Sequence, residues 1–326
     1  MRNARMTVFL VVVFVMAVIN FASADMFGTG DNQFNIDFVP ISGDASIANR
    51  TPISGLWPSA VTFKTFTDPK YNYRMGTYEI TNDQWNKFKS AYGNVTGTPW
   101  YAYNQSASFS GTTVPTNNVS WYEAAQFVNY LNISTNHQAA YKFIGTQGTS
   151  NYTFTPWVSA DTGYNASNPF RNSNAFYFIP TENEWIKAAY WNGDNIQTYA
   201  TVDGFIPIED VDSNYDLKSG DQPWDVGSGS EELNGTFDMM GNVWEWTECP
   251  LIQGEYTHDS ERNLRGGSYG YSFGWGDYNI GLLDRYGIFP TEEDIRIGLR
   301  VASVPEPCSL VLLSLGGFVL LRRRKK

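Results

Sequence analysis

Cysteine and histidine are almost missing from this chain, and each shortage closes off a class of chemistry. The only cysteines are Cys249 and Cys308. Cys308 lies in a C-terminal segment of different character, so Cys249 stands alone in the body of the protein and no internal disulfide can form there. Folding must therefore rest on packing. The two histidines, His137 and His258, are too few and too scattered to make a Ser-His-Asp triad a natural reading. Basic residues are also scarce, 22 Lys and Arg against 33 Asp and Glu, for a formal charge of −11. The two ends hold seven of the basic residues and one acidic one; residues 25–303 keep 15 basic against 32 acidic, a charge of −17. A surface of that sign repels phosphates, and no basic patch offsets it, which excludes nucleic acid as a partner. Long hydrophobic runs are missing too. The apolar stretches at 6–19 and 308–321 are 14 residues each. As a helix each rises about 21 Å, short of a hydrocarbon core of about 30 Å.

The ends are nevertheless distinctive. Arg2 and Arg5, the apolar stretch and then Ala22-Ser23-Ala24 form a charged start, a hydrophobic middle and a small-residue cleavage site. This order predicts a secretory signal peptide over residues 1–24, cut after Ala24, with a membrane anchor as the alternative. At the other end Val304-Pro305-Glu306-Pro307 precedes the second apolar stretch, and Arg322, Arg323, Arg324, Lys325 and Lys326 close the chain. Residues 304–326 resemble the bacterial PEP-CTERM sorting tail, with a Pro-Glu-Pro motif, a short hydrophobic helix and an arginine cluster in that order. The resemblance implies export to the periplasm, cell surface or secreted matrix, transient anchoring in the inner membrane, and a sorting and processing machinery as partner. A simple tail anchor is the alternative. Membrane contact is expected through the terminal segments alone.

Aromatic residues, by contrast, are plentiful at 16%, and they supply large surfaces for burial. Residues 25–69 are polar and read as an N-terminal arm with early strands; Thr62-Phe63-Lys64-Thr65-Phe66 alternates as a short strand would. Three capping boxes follow, at Thr81-Asn82-Asp83-Gln84, Ser120-Trp121-Tyr122-Glu123 and Thr181-Glu182-Asn183-Glu184, each predicting a helix start. Trp121, Ala124, Ala125, Val128 and Leu131 keep helical spacing, as do Trp185, Ala188 and Ala189, so these aromatics are expected in the core. Long stretches rich in Asn, Ser, Thr and Gly separate the helices at 93–118, 145–174 and 192–234. Loops of such length in a compact domain are usually functional or pinned by ions.

One stretch concentrates the chemistry. Asp238-Met239-Met240-Gly241-Asn242-Val243-Trp244-Glu245-Trp246 places a carboxylate between two indoles, just after a Gly-Asn pair. A buried ionised carboxylate needs a charged partner or several donors. For Glu245 that partner is a metal ion or an arginine, such as Arg265 or Arg300.

These segments, with Met75-Gly76-Thr77-Tyr78-Glu79-Ile80-Thr81-Asn82, Val119-Ser120-Trp121-Tyr122-Glu123-Ala124, Ile179-Pro180-Thr181-Glu182-Asn183-Glu184-Trp185, Arg265-Gly266-Gly267-Ser268-Tyr269 and Gly298-Leu299-Arg300, resemble the formylglycine-generating enzyme, or sulfatase-modifying factor, family over about residues 70–303. The resemblance implies a single irregular α+β domain, related to the C-type lectin fold, low in regular secondary structure and stabilised by calcium. Active members oxidise a sulfatase cysteine with oxygen and copper. Their two copper-binding cysteines follow the serine of Arg-Gly-Gly-Ser by three and eight positions, where this chain has Tyr271 and Gly276. Copper(I) needs soft ligands, and neither residue is one. Copper is therefore not expected, while Trp244 and Ser268 still match positions lining the family's catalytic pocket. A related branch that holds iron with three histidines is excluded by the histidine count. For calcium, the resemblance implies the side chain of Asp238, the carbonyls of Gly241 and Val243, and the carboxylate of Glu245, a set of hard oxygens on a tight turn. A second family calcium site would begin at Asn214-Tyr215.

Two functions follow. The first is an exported binding or structural module, stabilised by calcium and without formylglycine-generating activity, whose loops recognise a carbohydrate or protein. The aromatics Tyr271, Phe273, Trp275, Tyr278 and Tyr286 of the substituted segment are its candidate contacts, with the ordinary core as their alternative place. The second is an enzyme of the same family, an oxidase acting on protein or small molecules, that holds a harder metal through other ligands such as Tyr271.

Overall fold

A computed structural model describes residues 23–53, 64–216, 220–270 and 280–305 of the chain. Most of the segment expected to be a signal peptide, the expected sorting tail from 306 onward, and Tyr271, Phe273, Trp275, Gly276 and Tyr278 lie outside the described residues.

The three capping boxes each start a helix. They open α1 (Asn82–Tyr92), α2 (Trp121–Ser134) and α3 (Glu182–Tyr190), and in each the hydroxyl accepts from the third helical amide while the Gln or Glu side chain accepts from the cap amide. The strands are short: β1 Ser23–Phe27, β2 Phe34–Ile41, β3 Tyr73–Gly76, β4 Phe143–Ile144, β5 Thr153–Phe154, β6 Tyr177–Phe178, β7 Trp244–Pro250, β8 Arg262–Arg265, β9 Tyr286–Ile288, β10 Ile297–Gly298 and β11 Ala302–Ser303. They form a five-stranded sheet in the order β1-β2-β3-β11-β6, a four-stranded sheet β10-β7-β8-β9, and the hairpin β4-β5. The strand expected at Thr62–Phe66 falls partly outside the described residues; Thr65 makes an isolated bridge with Pro52.

Strand alternation divides the interior in two. Phe34, Ile36 and Phe38 of β2 enter one core with α1 and α2, while Val39 and Ile41 enter a second with α3. Trp121 and Trp185 are fully buried, one in each core. Their indole N–H groups find acceptors at Thr247 O (3.2 Å) and Glu245 Oε2 (2.7 Å), so neither burial strands a donor. The N-terminal strand is tied in by charge as well as by its ladder, because Arg74 donates to both oxygens of Asp25 at 2.9 and 2.6 Å. Among the described residues no helix is long and apolar enough to cross a membrane.

Candidate functional site

The Gly-Asn turn that leads into β7 is the junction of the molecule. Asp238, Gly241 and Asn242 all have left-handed backbones, with φ of +60°, +84° and +56°. A side chain at Gly241 would put its Cβ 2.2 Å from the Asn214 carbonyl oxygen, so only glycine lets the two segments meet. Asn242 spends every polar atom on a different strand or loop. Its N–H donates to Asn214 O (2.8 Å), its Oδ1 accepts from Trp224 N (2.8 Å), its Nδ2 donates to Glu79 Oε2 (2.6 Å), and its carbonyl accepts from Tyr269 N (2.8 Å). The turn is closed against the Arg-Gly-Gly-Ser segment by Gly241 N donating to Gly266 O at 2.7 Å. Asn214, where a second calcium site was expected to begin, is thus part of this junction, and its neighbour Tyr215 sends its hydroxyl to Pro207 O at 2.7 Å.

The alternation of β7 then sorts the three aromatic and acidic side chains. Trp244 and Trp246 enter the first core, and Glu245 points the other way, toward Trp185 of α3. Of the two kinds of partner open to Glu245, the structure supplies the arginine. Arg300 donates from Nη2 to Oε1 at 2.7 Å and from Nε to both oxygens at 2.9 and 3.1 Å. The rest of its guanidinium is taken by the carbonyls of Gly76, Thr77 and Phe237. Arg265, although opposite Glu245 in the β7–β8 ladder, turns to Glu182 instead, at 2.5 and 3.0 Å.

Three more buried carboxylates crowd the same region. Glu79 accepts from Asn242 Nδ2 and Val243 N, Glu232 from Thr236 Oγ1 and Met239 N, and Asp238 from Gly227 N. Burial, reinforced by the neighbouring acids, drives all three up: Glu79 well above the carboxylate range, Glu232 to about 8 and Asp238 to about 6. Ionised together they would exceed what one arginine balances, and the upward shifts mean that protons make up the difference. Among the described residues no group of three or more His, Cys, Asp or Glu is placed to hold a metal ion, so the expected calcium set rests on one free carboxylate, Asp238, and on the carbonyls of Gly241 and Val243, oxygens of the hard kind that calcium takes. Glu245 is the exception, because all its acceptor capacity is spent on Arg300 and Trp185. It would reach a cation only by giving up that pairing.

Ser268 and Trp244 are buried, at 3% and 2% exposure. Ser268 Oγ lies 3.5 Å from Gly270 O, and the Trp244 indole N–H is buried without an acceptor among the described residues. Tyr286 sits on β9, half-buried, with its ring 6.3 Å from that of Trp244. Cys249 lies on β7, where burial pushes its thiol up and away from thiolate.

Next to this junction opens a cleft of ≈ 680 Å³ whose walls include Phe109, Trp224, Gln222, Asp210 and Asp225. Phe109 packs edge-on against Tyr269, 5.5 Å between rings, and the amide of Trp224 is the one bound to Asn242. No Lys, Arg, His or Cys is among the described residues that line it. These wall residues come from the long loops at 93–118 and 192–234. Loop length was the signal that could have found them; nothing in their spacing singled out the individual side chains.

The family described as sulfatase-modifying factor enzyme 1-like domain matches residues 66–304. Among solved structures, variable protein 1 of Treponema denticola superposes with a TM-score of 0.58 at 22% identity, over 86% of this chain and 99% of that one. CarF gives 0.53 at 22%, over 83% and 99% of the two chains, and PvdO from Pseudomonas aeruginosa 0.53 at 14%, over 86% and 98%. At these identities the likeness is one of fold, and the fold is the expected irregular α+β domain related to C-type lectins.

Proposed function

Because the chain belongs to the sulfatase-modifying factor enzyme 1-like family, we propose that it is an exported, calcium-stabilised binding module of that family without formylglycine-generating activity. The cleft carries this reading. Partly exposed Phe109 and Trp224 beside Asp210, Asp225 and Gln222 suit a neutral, polyhydroxylated ring, which stacks on an aromatic face and donates hydroxyls to carboxylates and amides. A carbohydrate is accordingly the ligand class, and the absence of a basic side chain from the described walls argues against an anionic ligand. Tyr271 and Gly276 in place of both copper cysteines support the loss of oxidase chemistry. The terminal segments support export. The excess of buried carboxylates around Asp238 supports a calcium ion at the turn.

The test has two arms. Titration of the chain with a panel of soluble oligosaccharides should quench tryptophan fluorescence, and Trp224→Ala should remove both the quenching and the heat of binding. Incubation with copper, oxygen and a sulfatase-type cysteine peptide should leave the cysteine unchanged by mass spectrometry. Saccharide binding that survives Trp224→Ala would move the ligand out of the cleft, and formylglycine in the peptide would overturn the non-catalytic reading.

The second reading, an enzyme with altered metal ligands, draws on one observation, the buried Trp244 indole N–H that has no acceptor among the described residues. A donor held that way is an attachment point for something polar in the position that lines the family's catalytic pocket. Stoichiometric redox metal after gentle purification, measured by elemental analysis, would favour this reading; calcium alone would end it.

A further inference from the structure

The loop that follows α3 concentrates apolar side chains at the surface. Val202, Phe205, Ile206, Ile208 and Val211 are 73, 72, 43, 62 and 59% exposed, five large apolar residues within ten positions. Scattered exposed apolar residues need no account, but five so close along one loop do. The loop is also held in shape. Thr201 Oγ1 donates to Phe205 O (2.6 Å), Asp203 Oδ1 accepts from Phe205 N (3.1 Å), Asp212 Oδ2 accepts from Ile208 N (2.7 Å), and buried Tyr215 bonds the Pro207 carbonyl (2.7 Å). The hydrogen bonds thus hold the apolar side chains on the outside of a fixed frame, where they cost hydration free energy until something covers them.

Charge identifies what covers them. Asp203, Glu209, Asp210 and Asp212 interleave with the apolar residues, and residues 192–216 contain no Lys, Arg or His. A second copy of the chain would set acid against acid across a two-fold interface. An anionic lipid surface would meet the same repulsion. We propose that this loop is a docking surface for another protein, through a segment that carries apolar side chains flanked by Lys or Arg. Apolar contact supplies the affinity and the acidic rim supplies attraction and selectivity.

The probe is a fluorescent amphipathic Leu/Lys peptide titrated into the full chain, with a Leu/Glu peptide of the same apolar pattern as control. Hydrogen exchange should show protection of 201–212 by the Leu/Lys peptide, and the Leu/Glu peptide should not bind. The double variant Phe205→Ser with Ile208→Ser leaves every charge in place and touches only exposed side chains, so its melting temperature should match the parent; its affinity should fall about tenfold or more. Asp203→Asn should weaken binding by a smaller factor that vanishes at high salt. Unchanged affinity in the double variant would reduce the effect to general charge attraction and overturn the proposal. So would concentration-dependent self-association lost in the double variant, adsorption to phosphatidylglycerol vesicles through this loop, or protection of 201–212 already complete without peptide. Asp210 and Val211 also line the cleft, whereas Phe205 and Ile208 do not, so loss of saccharide binding in Trp224→Ala bears on the cleft and the double variant bears on the loop.

Discussion

Two buried ionic centres, one around Glu182 of α3 and one around Glu245 of β7, are built on opposite charge balances. In the first, Glu182, fully buried, is the single carboxylate facing three cations: Arg265 at 2.5 Å, Lys64 at 2.6 Å and Arg285 at 2.8 Å. Burial alone would raise Glu182, but Lys64, Arg265 and Arg285 outweigh it and hold the group well below the usual carboxylate range. In the second, Glu79, Glu232, Asp238 and Glu245 surround Arg300, and the three acids without that arginine as a direct partner are pushed up. Equal burial thus gives opposite responses to pH. Glu182 contributes stability that is complete above its unfolded pKa of about 4.5 and is lost as the pH falls through its depressed folded value. The raised group binds more protons folded than unfolded. Its contribution is present at low pH and is lost as the pH rises from about 4.5 through the folded value of about 8 for Glu232. The first centre is self-sufficient, and the second invites a proton or a cation.

The sharpest way to break this contrast is Arg300→Met. It leaves Glu245 and its acidic neighbours without their cation, and removing one partner of a buried pair costs about 3–5 kcal/mol. Chemical denaturation should show that loss at pH 8 and a smaller one at pH 5, where protons replace the arginine. Calcium should come next. At a hundredfold excess over its Kd a ligand specific to the folded state adds about 2.7 kcal/mol. The melting temperature at pH 8 should rise with calcium and fall with chelator, the shift should shrink at pH 5, and Asp238→Asn should remove most of it; a chelator-insensitive melt would leave Arg300 as the centre's only counter-charge. Glu232→Gln should stabilise the calcium-free protein clearly more at pH 8 than at pH 5, where the folded protein already keeps this group protonated, the difference being the desolvated charge it no longer has to carry. The smallest effect belongs to the first centre. Thr181→Ala removes the cap just ahead of Glu182 and should cost about 1 kcal/mol by chemical denaturation.

Legibility followed the range of the interactions. The three helix starts were readable because a capping box is closed within four residues, and the burial of Trp121 and Trp185 followed from helical spacing. The partner of Glu245 could be narrowed to an ion or one of two arginines and no further. The choice depends on Gly298 lying beside Glu245 in a parallel pair, which brings Arg300 within reach while Glu182 captures Arg265. Phe109 and Trp224 lie in irregular loops whose hydrogen bonds run to Asn242 and whose rings meet Tyr269, contacts that no local pattern encodes. The loss of the copper thiols was legible at once, since it is a matter of residue identity at Tyr271 and Gly276.

By itself the sequence determined the family, the α+β class, the three helix starts, the acidic charge and the absence of thiols from the two copper positions, because each depends on residue identity or on contacts between near neighbours. Only the tertiary structure decided which cation faces which buried acid and which loop side chains wall the cleft. Those outcomes rest on where distant segments meet, and in a low-dielectric interior a few ångströms of placement decide whether a carboxylate is held charged by arginines or driven to take up a proton.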